Sequence, residues 1–213
     1  MIDVLAVKSI KREVKDAIII AATKYGDITD IKKLYDLGIR NIGENRVNNF
    51  LEKYETLHDL DIVWHFIGHL QSKKVKKMIN KIDFLHSLDR ISLLDAIQES
   101  RSLPLDCFLE VNISDETSKY GLKPEEVLDF YQKTKEYDKI RIVGLMGMAS
   151  LTDDEEVIKS QFSKLVALKI QLENVLKESI LYLSMGMSND YRIALEMNAT
   201  HLRLGSVFFK KED

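Results

Sequence analysis

An α/β protein built as a single-domain (β/α)8 TIM barrel is the fold this sequence predicts, and three observations lead there. Eight short apolar runs, at 17–23, 41–43, 62–68, 84–88, 105–113, 140–146, 181–185 and 202–204, alternate with amphipathic stretches. The 213 residues, with two prolines and no low-complexity stretch or linker, suit one domain over 1–213. The fifth run is two-faced: Cys107, Leu109, Val111 and Ile113 share one side, Asp106, Phe108, Glu110 and Asn112 the other. Strands of an open parallel sheet are usually apolar on both faces, whereas a barrel can turn polar residues inward near its C-terminal mouth. A doubly wound open sheet is the competing architecture, since a strand count from pattern shifts by one or two.

In chain order, the first run ends at Thr23-Lys24-Tyr25, and a helix over 27–37 stops at Gly38. The second run closes on Gly43-Glu44-Asn45 and the third contains Trp64-His65-Phe66-Ile67-Gly68. In the basic run Lys73-Lys74-Val75-Lys76-Lys77, Val75 with Met78 and Ile79 gives a helix an apolar face, so its lysines read as a solvated side rather than a nucleic-acid patch. After the fourth and fifth runs, Pro124 opens a helix over 124–137, where its fixed φ and missing N–H cost nothing. Beyond the sixth run, Val157, Ile158, Phe162, Leu165, Leu168 and Leu172 recur at helical spacing in 154–177. The last two runs end in small residues and hydroxyls.

Composition narrows the function. With 31 basic and 34 acidic residues the net charge is −3, which gives no electrostatic reason to expect nucleic acid or an anionic membrane as partner. Cys107 is the only cysteine, so no internal disulfide forms, and its apolar setting reads as a buried, inert thiol. No apolar run is long enough to span a bilayer and no signal-peptide pattern opens the chain, so a cytoplasmic protein is expected. His58, His65, His69, His86 and His201 lack metal-ligand spacing, and no metal site is expected.

The chemistry concentrates in Leu183-Ser184-Met185-Gly186-Met187-Ser188 and Leu202-Arg203-Leu204-Gly205-Ser206. Such turns let backbone N–H groups approach an anion, and in barrels the loops after strands seven and eight commonly hold phosphate. Lys24, at the end of the first strand, offers an amine to an aldehyde on the same ligand. Phosphate at one end and an amine at the other suggest pyridoxal 5′-phosphate (PLP). A phosphosugar enzyme on a similar barrel, forming its Schiff base with the substrate, would share the same two features.

Ten collinear blocks make the chain resemble the PLP homeostasis proteins, single-domain relatives of the N-terminal barrel of alanine racemase. They are Ala22-Thr23-Lys24, Ile42-Gly43-Glu44-Asn45, Trp64-His65-Phe66-Ile67-Gly68, Leu70-Gln71-Ser72, His86-Ser87-Leu88-Asp89-Arg90, Val111-Asn112-Ile113-Ser114, Ser118-Lys119, Gly144-Leu145-Met146, and the two phosphate turns. The resemblance implies the fold-type III PLP barrel, with PLP held as a Schiff base on Lys24. It implies phosphate contacts from Ser184, Ser188, Gly205 and Ser206, Arg203 facing the pyridine nitrogen, and Asn45 and His65 lining the mouth. It implies a carrier or buffer in intracellular PLP (vitamin B6) homeostasis, a monomer or weak dimer, with apo-PLP enzymes as recipients. His69, Lys73 and Gly147 stand where the family commonly has proline, asparagine and threonine.

Two features argue against turnover, so no catalytic residue is assigned. Arginine carries only donors, so a ring nitrogen facing Arg203 must accept and stay unprotonated, a poor electron sink for a carbanion. Racemisation also needs an acid/base group on each ring face. Lys24 serves one; alanine racemase draws the other from a second domain for which this chain has no residues, and Tyr25, Tyr120 or Tyr191 would replace it only by coincidence of geometry. A PLP-dependent racemase using Lys24 is the alternative. The loop 114–121, with Lys119, reads as a plain surface loop or as a lid carrying a second amine.

Overall fold

The structure, a computed structural model, describes residues 1–114 and 120–210. Among them eight strands close into a barrel in chain order, every neighbour parallel: β1 Ile18–Ala22, β2 Asn41–Glu44, β3 Val63–Phe66, β4 Phe84–Leu88, β5 Leu105–Val111, β6 Ile140–Gly147, β7 Tyr182–Ser184 and β8 His201–Leu204. β1 pairs with both β2 and β8, which seals the ring and excludes the open sheet. Each of the eight predicted runs contains or overlaps one strand.

The helices are α1 Val4–Glu13, α2 Ile28–Asp36, α3 Val47–Leu57, α4 Val75–Met78, α5 Ile91–Ser100, α6 Val127–Thr134, α7 Glu155–Leu176 and α8 Tyr191–Glu196. Their ends follow local chemistry. Asp27 and Asp30 form a capping box at the start of α2. Asp154 accepts from the Glu156 and Val157 N–H groups to start α7, which ends on Lys177 in the left-handed region at φ 56°. Pro124 opens a short 3₁₀ turn, Pro124–Glu126, that feeds α6. Among the described residues the 3₁₀ turn Ser206–Phe208 follows β8. α1 packs beside that turn and α8: its N-cap Asp3 donates its N–H to the Phe208 carbonyl, and Glu13 accepts from Tyr191 and Arg192.

Strand alternation divides the interior in two. Outward residues such as Ala21, Ile42, Phe66, Leu85, Leu109, Leu145, Leu183 and Leu202 pack against Ile31, Leu34, Phe50, Leu94, Phe162 and Leu165 of the helices, and this shell is the main hydrophobic core. Inside the ring a separate small apolar cluster forms, Phe108, Val143 and Met146, with Phe84, Met148 and Tyr182 against it. Glu110 is buried beside the inward Phe108, as the two-faced fifth run predicts. Cys107 faces outward, fully buried, and burial pushes its thiol far above the usual range. At Gly144 a bulge in β6 brings the strand against β7; a Cβ there would lie 2.2 Å from the Tyr182 carbonyl oxygen, so only glycine fits.

Among the described residues no helix is long and apolar enough to cross a membrane, and no cluster of His, Cys, Asp or Glu is arranged for a metal ion. Lys119, and with it most of the loop 114–121, lies outside the described residues.

Candidate functional site

A cavity of about 420 Å³ opens at the C-terminal ends of the strands. Six of the eight predicted residues line it: Lys24, Asn45, Ser188, Arg203, Gly205 and Ser206. They come from the ends of β1, β2, β7 and β8, where barrel geometry gathers side chains from segments far apart in sequence.

Lys24 stands on the rim, its Nζ 4.7 Å from the centroid of the Tyr25 ring. The backbone just before it is pinned from behind. Lys53 of α3 donates to the Thr23 carbonyl at 2.7 Å and to Glu44 Oε1, while the Thr23 hydroxyl donates to the same carboxylate oxygen at 2.5 Å. All three side chains are buried.

Across the cavity, Ser188 Oγ accepts from the backbone N–H groups of Gly205 (3.0 Å) and Val207 (3.3 Å). The turn that delivers it depends on Gly186, whose φ of +92° lies in the left-handed region. Asp190 anchors the same turn by accepting from the Met187 N–H. Burial raises its carboxyl above the usual range, and that hydrogen bond lowers it in part. Ser188, held by these two backbone donors, thus lines the cavity together with Gly205 and Ser206.

Arg203 forms the floor. It is buried, donates from Nη1 to Ser184 Oγ at 2.6 Å and from Nη2 to the Gly147 carbonyl at 3.0 Å. Of its five N–H groups, these bonds use two. Burial pulls the guanidinium down to about 10, against Asp190 and Glu110, so it remains charged at neutral pH. Asn45 Oδ1 is buried without a protein partner in the cavity wall.

His65 and Ser184 do not line the cavity. β3 turns His65 inward, but one inward position too low; the next inward residue, Ile67, takes the wall. Ser184 is fully buried beneath Arg203 and holds the guanidinium instead. Sequence reasoning also missed Asp190 and the loop Met148–Thr152 that follows β6 and closes one side of the cavity. The signal for both was available, since every strand-to-helix loop of a barrel opens on the same mouth.

Glu110 lies inside the ring near this floor. Burial, with the Asp89 carboxylate adding to it, raises its carboxyl to about 7, and Arg203 and Arg90 offset part of the rise. A raised folded-state value means that the proton is held more tightly in the folded chain. The associated stability is complete below the unfolded value of 4.5 and is lost as pH climbs through about 7, a loss of about 3 kcal/mol. Glu110→Gln is expected to flatten this part of the profile, checked by urea unfolding at pH 5 and pH 8; an unchanged difference between the two pH values would refute it.

Residues 7–213 match the family described as alanine racemase, N-terminal domain. The pyridoxal phosphate homeostasis protein of Aquifex aeolicus is 39% identical over 182 residues, covering 84% of this chain and 80% of its own. That of Pasteurella multocida is 34% identical over 214 residues, covering 98% and 92%. Among solved structures, PipY of Synechococcus elongatus with PLP bound superposes with a TM-score of 0.89 at 26% identity, covering 97% of this chain and 99% of that one. The chain belongs to the alanine racemase N-terminal domain family and, within it, to the pyridoxal phosphate homeostasis proteins.

Proposed function

We propose that this chain binds PLP in the barrel mouth through Lys24 and acts as a carrier or buffer of the cofactor in the cytoplasm. One observation carries the reading: an amine, a charged donor and a cluster of anion-binding N–H and hydroxyl groups line a single cavity. The residues fit the group. The cavity is within the size range of small-molecule sites, Arg203 keeps donors beyond those it spends on Ser184 and Gly147, and Ser188 Oγ marks where two backbone donors already meet an oxygen. When bound, PLP supplies an aldehyde that condenses reversibly with a primary amine.

Lys24 would provide that amine. Ser188, Ser206 and the Gly205 backbone would surround the phosphate, and Arg203 would donate to the ring nitrogen. Ser184 acts at one remove, by fixing Arg203. Asn45, with its unsatisfied Oδ1, would accept a hydrogen bond from a ligand donor. On this reading the whole chain, 1–213, is one PLP-binding domain, a monomer or weak dimer, and apo-PLP enzymes are the recipients.

Absence of turnover is part of the proposal. Arg203 cannot act as an acceptor for a protonated ring nitrogen. Of the three tyrosines considered for a second acid/base group, Tyr191 donates to Glu13, Tyr120 stacks on His69 and Tyr25 lies against Lys24 itself. A visible absorbance band on adding PLP, fixed by borohydride and mapped to Lys24, tests binding. Exchange of the α-hydrogen of L-alanine in heavy water no faster than with free PLP tests the carrier reading; brisk exchange would establish the racemase.

A further inference from the structure

Beneath the cavity, a file of polar side chains crosses the barrel interior. Arg203 Nη1 contacts Ser184 Oγ at 2.6 Å, and Ser184 Oγ lies 2.9 Å from His86 Nδ1. His86 Nε2 is 2.9 Å from His65 Nδ1, and His65 Nε2 is 2.9 Å from Asn41 Oδ1 at the start of β2. The proton positions follow from the ends. Arginine can only donate, so Ser184 Oγ accepts from it. The Asn41 oxygen can only accept, so with both rings neutral the protons sit on Nε2 of His65 and of His86, which leaves His86 Nδ1 to accept the Ser184 hydrogen. His86 then carries its proton on Nε2 and donates to His65 Nδ1. His65 likewise carries its proton on Nε2 and donates to the Asn41 oxygen, which cannot donate. Four hydrogen bonds point one way, away from the cavity, and each polarises the next.

The surroundings lock this arrangement. His65 stacks on Phe84 with ring centroids 4.7 Å apart, and His86 on Phe108 at 4.2 Å, which fixes both ring planes. Both imidazoles and Ser184 are buried. Burial, with neighbouring His201 and, for His86, Arg203, holds both rings well below their usual range and hence neutral. The barrel strands donate one residue each to the file: β8, β7, β4, β3 and β2.

We propose that His86 is a positioning residue for Arg203: through Ser184, and backed by His65 and Asn41, it fixes the guanidinium so that its free donors face the cavity, and so makes the site select a ring that offers an unshared nitrogen pair. This rests on the PLP reading above. Without an acceptor at His86 Nδ1, the Ser184 hydrogen loses its partner, the hydroxyl can turn, and Arg203 loses the oriented lone pair that holds Nη1. A ligand lacking the ring nitrogen leaves a buried, charged donor unpaired, which is costly only while that donor is held in place.

The test compares PLP with its 1-deaza analogue, in which C–H replaces the ring nitrogen, on the parent, His86→Leu, His86→Gln and Ser184→Ala chains. The parent is expected to prefer PLP by at least about tenfold. His86→Leu and Ser184→Ala should shrink the preference below about threefold, whereas His86→Gln, whose amide both accepts from Ser184 and donates to His65, should keep it. A general loss of structure would weaken both ligands alike and leave the ratio unmoved. Ser184→Ala deletes a single buried oxygen and carries the test if His86→Leu fails to fold. An undiminished ratio in Ser184→Ala, or a His86→Gln chain as indiscriminate as His86→Leu, overturns the proposal. If the parent binds no PLP at all, the functional reading falls instead. The file is then read in the ligand-free chain by nitrogen-15 spectra: protons on Nε2 alone of His65 and His86 at pH 7 uphold it, and a proton on either Nδ1 refutes it.

Discussion

Lys24→Ala is expected to abolish the borohydride-fixed adduct and to weaken PLP binding by at least about a hundredfold, a change of ~2.7 kcal/mol. The side chain is exposed on the cavity rim, so its removal should leave the melting temperature nearly unchanged, as for surface substitutions in general. Loss of the adduct is therefore separable from loss of the fold. What remains is Arg203, Ser188, Ser206 and the Gly205 backbone, enough for weak reversible binding without the visible band of the conjugated product. Lys53 cannot take over, because its Nζ is committed to the Thr23 carbonyl and the Glu44 carboxylate. Undiminished adduct on the variant, mapped to another lysine, would displace Lys24 from its assigned role.

Lys53→Ala has the largest expected effect on stability. The Lys53–Glu44 pair is almost wholly removed from water, with side-chain exposures of 8% and 0%. Removing one member of such a pair strands the other charge, at a cost of about 3–5 kcal/mol. Glu44 is already short of partners: its Oε2 is buried and unsatisfied in the intact chain. The damage should also reach the site, since Lys53 holds the carbonyl of Thr23, next to Lys24. Replacing both members together, Glu44→Leu with Lys53→Met, is expected to recover most of the stability, because no buried charge is left unpaired. Chemical denaturation of the two variants checks this; a double variant no more stable than Lys53→Ala would show that packing, not charge, is at stake.

The sequence made the ring legible because the strands and helices obey local rules. Alternation along 105–113 foretold that Phe108 and Glu110 face inward, and Asp154 and Pro124 stand at or within a residue of the starts of their helical segments. The phosphate turns and Lys24 were readable for the same reason: each is a contiguous run at a strand end. His65 and Ser184 were misplaced because depth in the ring is set by the stagger between neighbouring strands, which pattern does not reveal: His65 pairs with Gly43 and Ser184 with Met146 and His201. The histidine file was invisible because neighbours in it are up to 98 residues apart in sequence and meet only when the ring closes. The burial of Lys53 carries no signal in the sequence, since a lysine on a helix normally faces solvent.

The separation between the apolar shell and the ring's interior has a consequence for what this architecture can tolerate. Cohesion comes from the layer where strands meet helices, so the axis of the tube carries little of the mechanical burden. Internal polar groups can then be exchanged, one set of wiring for another, while the casing goes on assembling unaided. A designer seeking a new small-molecule receptor from this scaffold should recut the lumen and leave the outer seam alone.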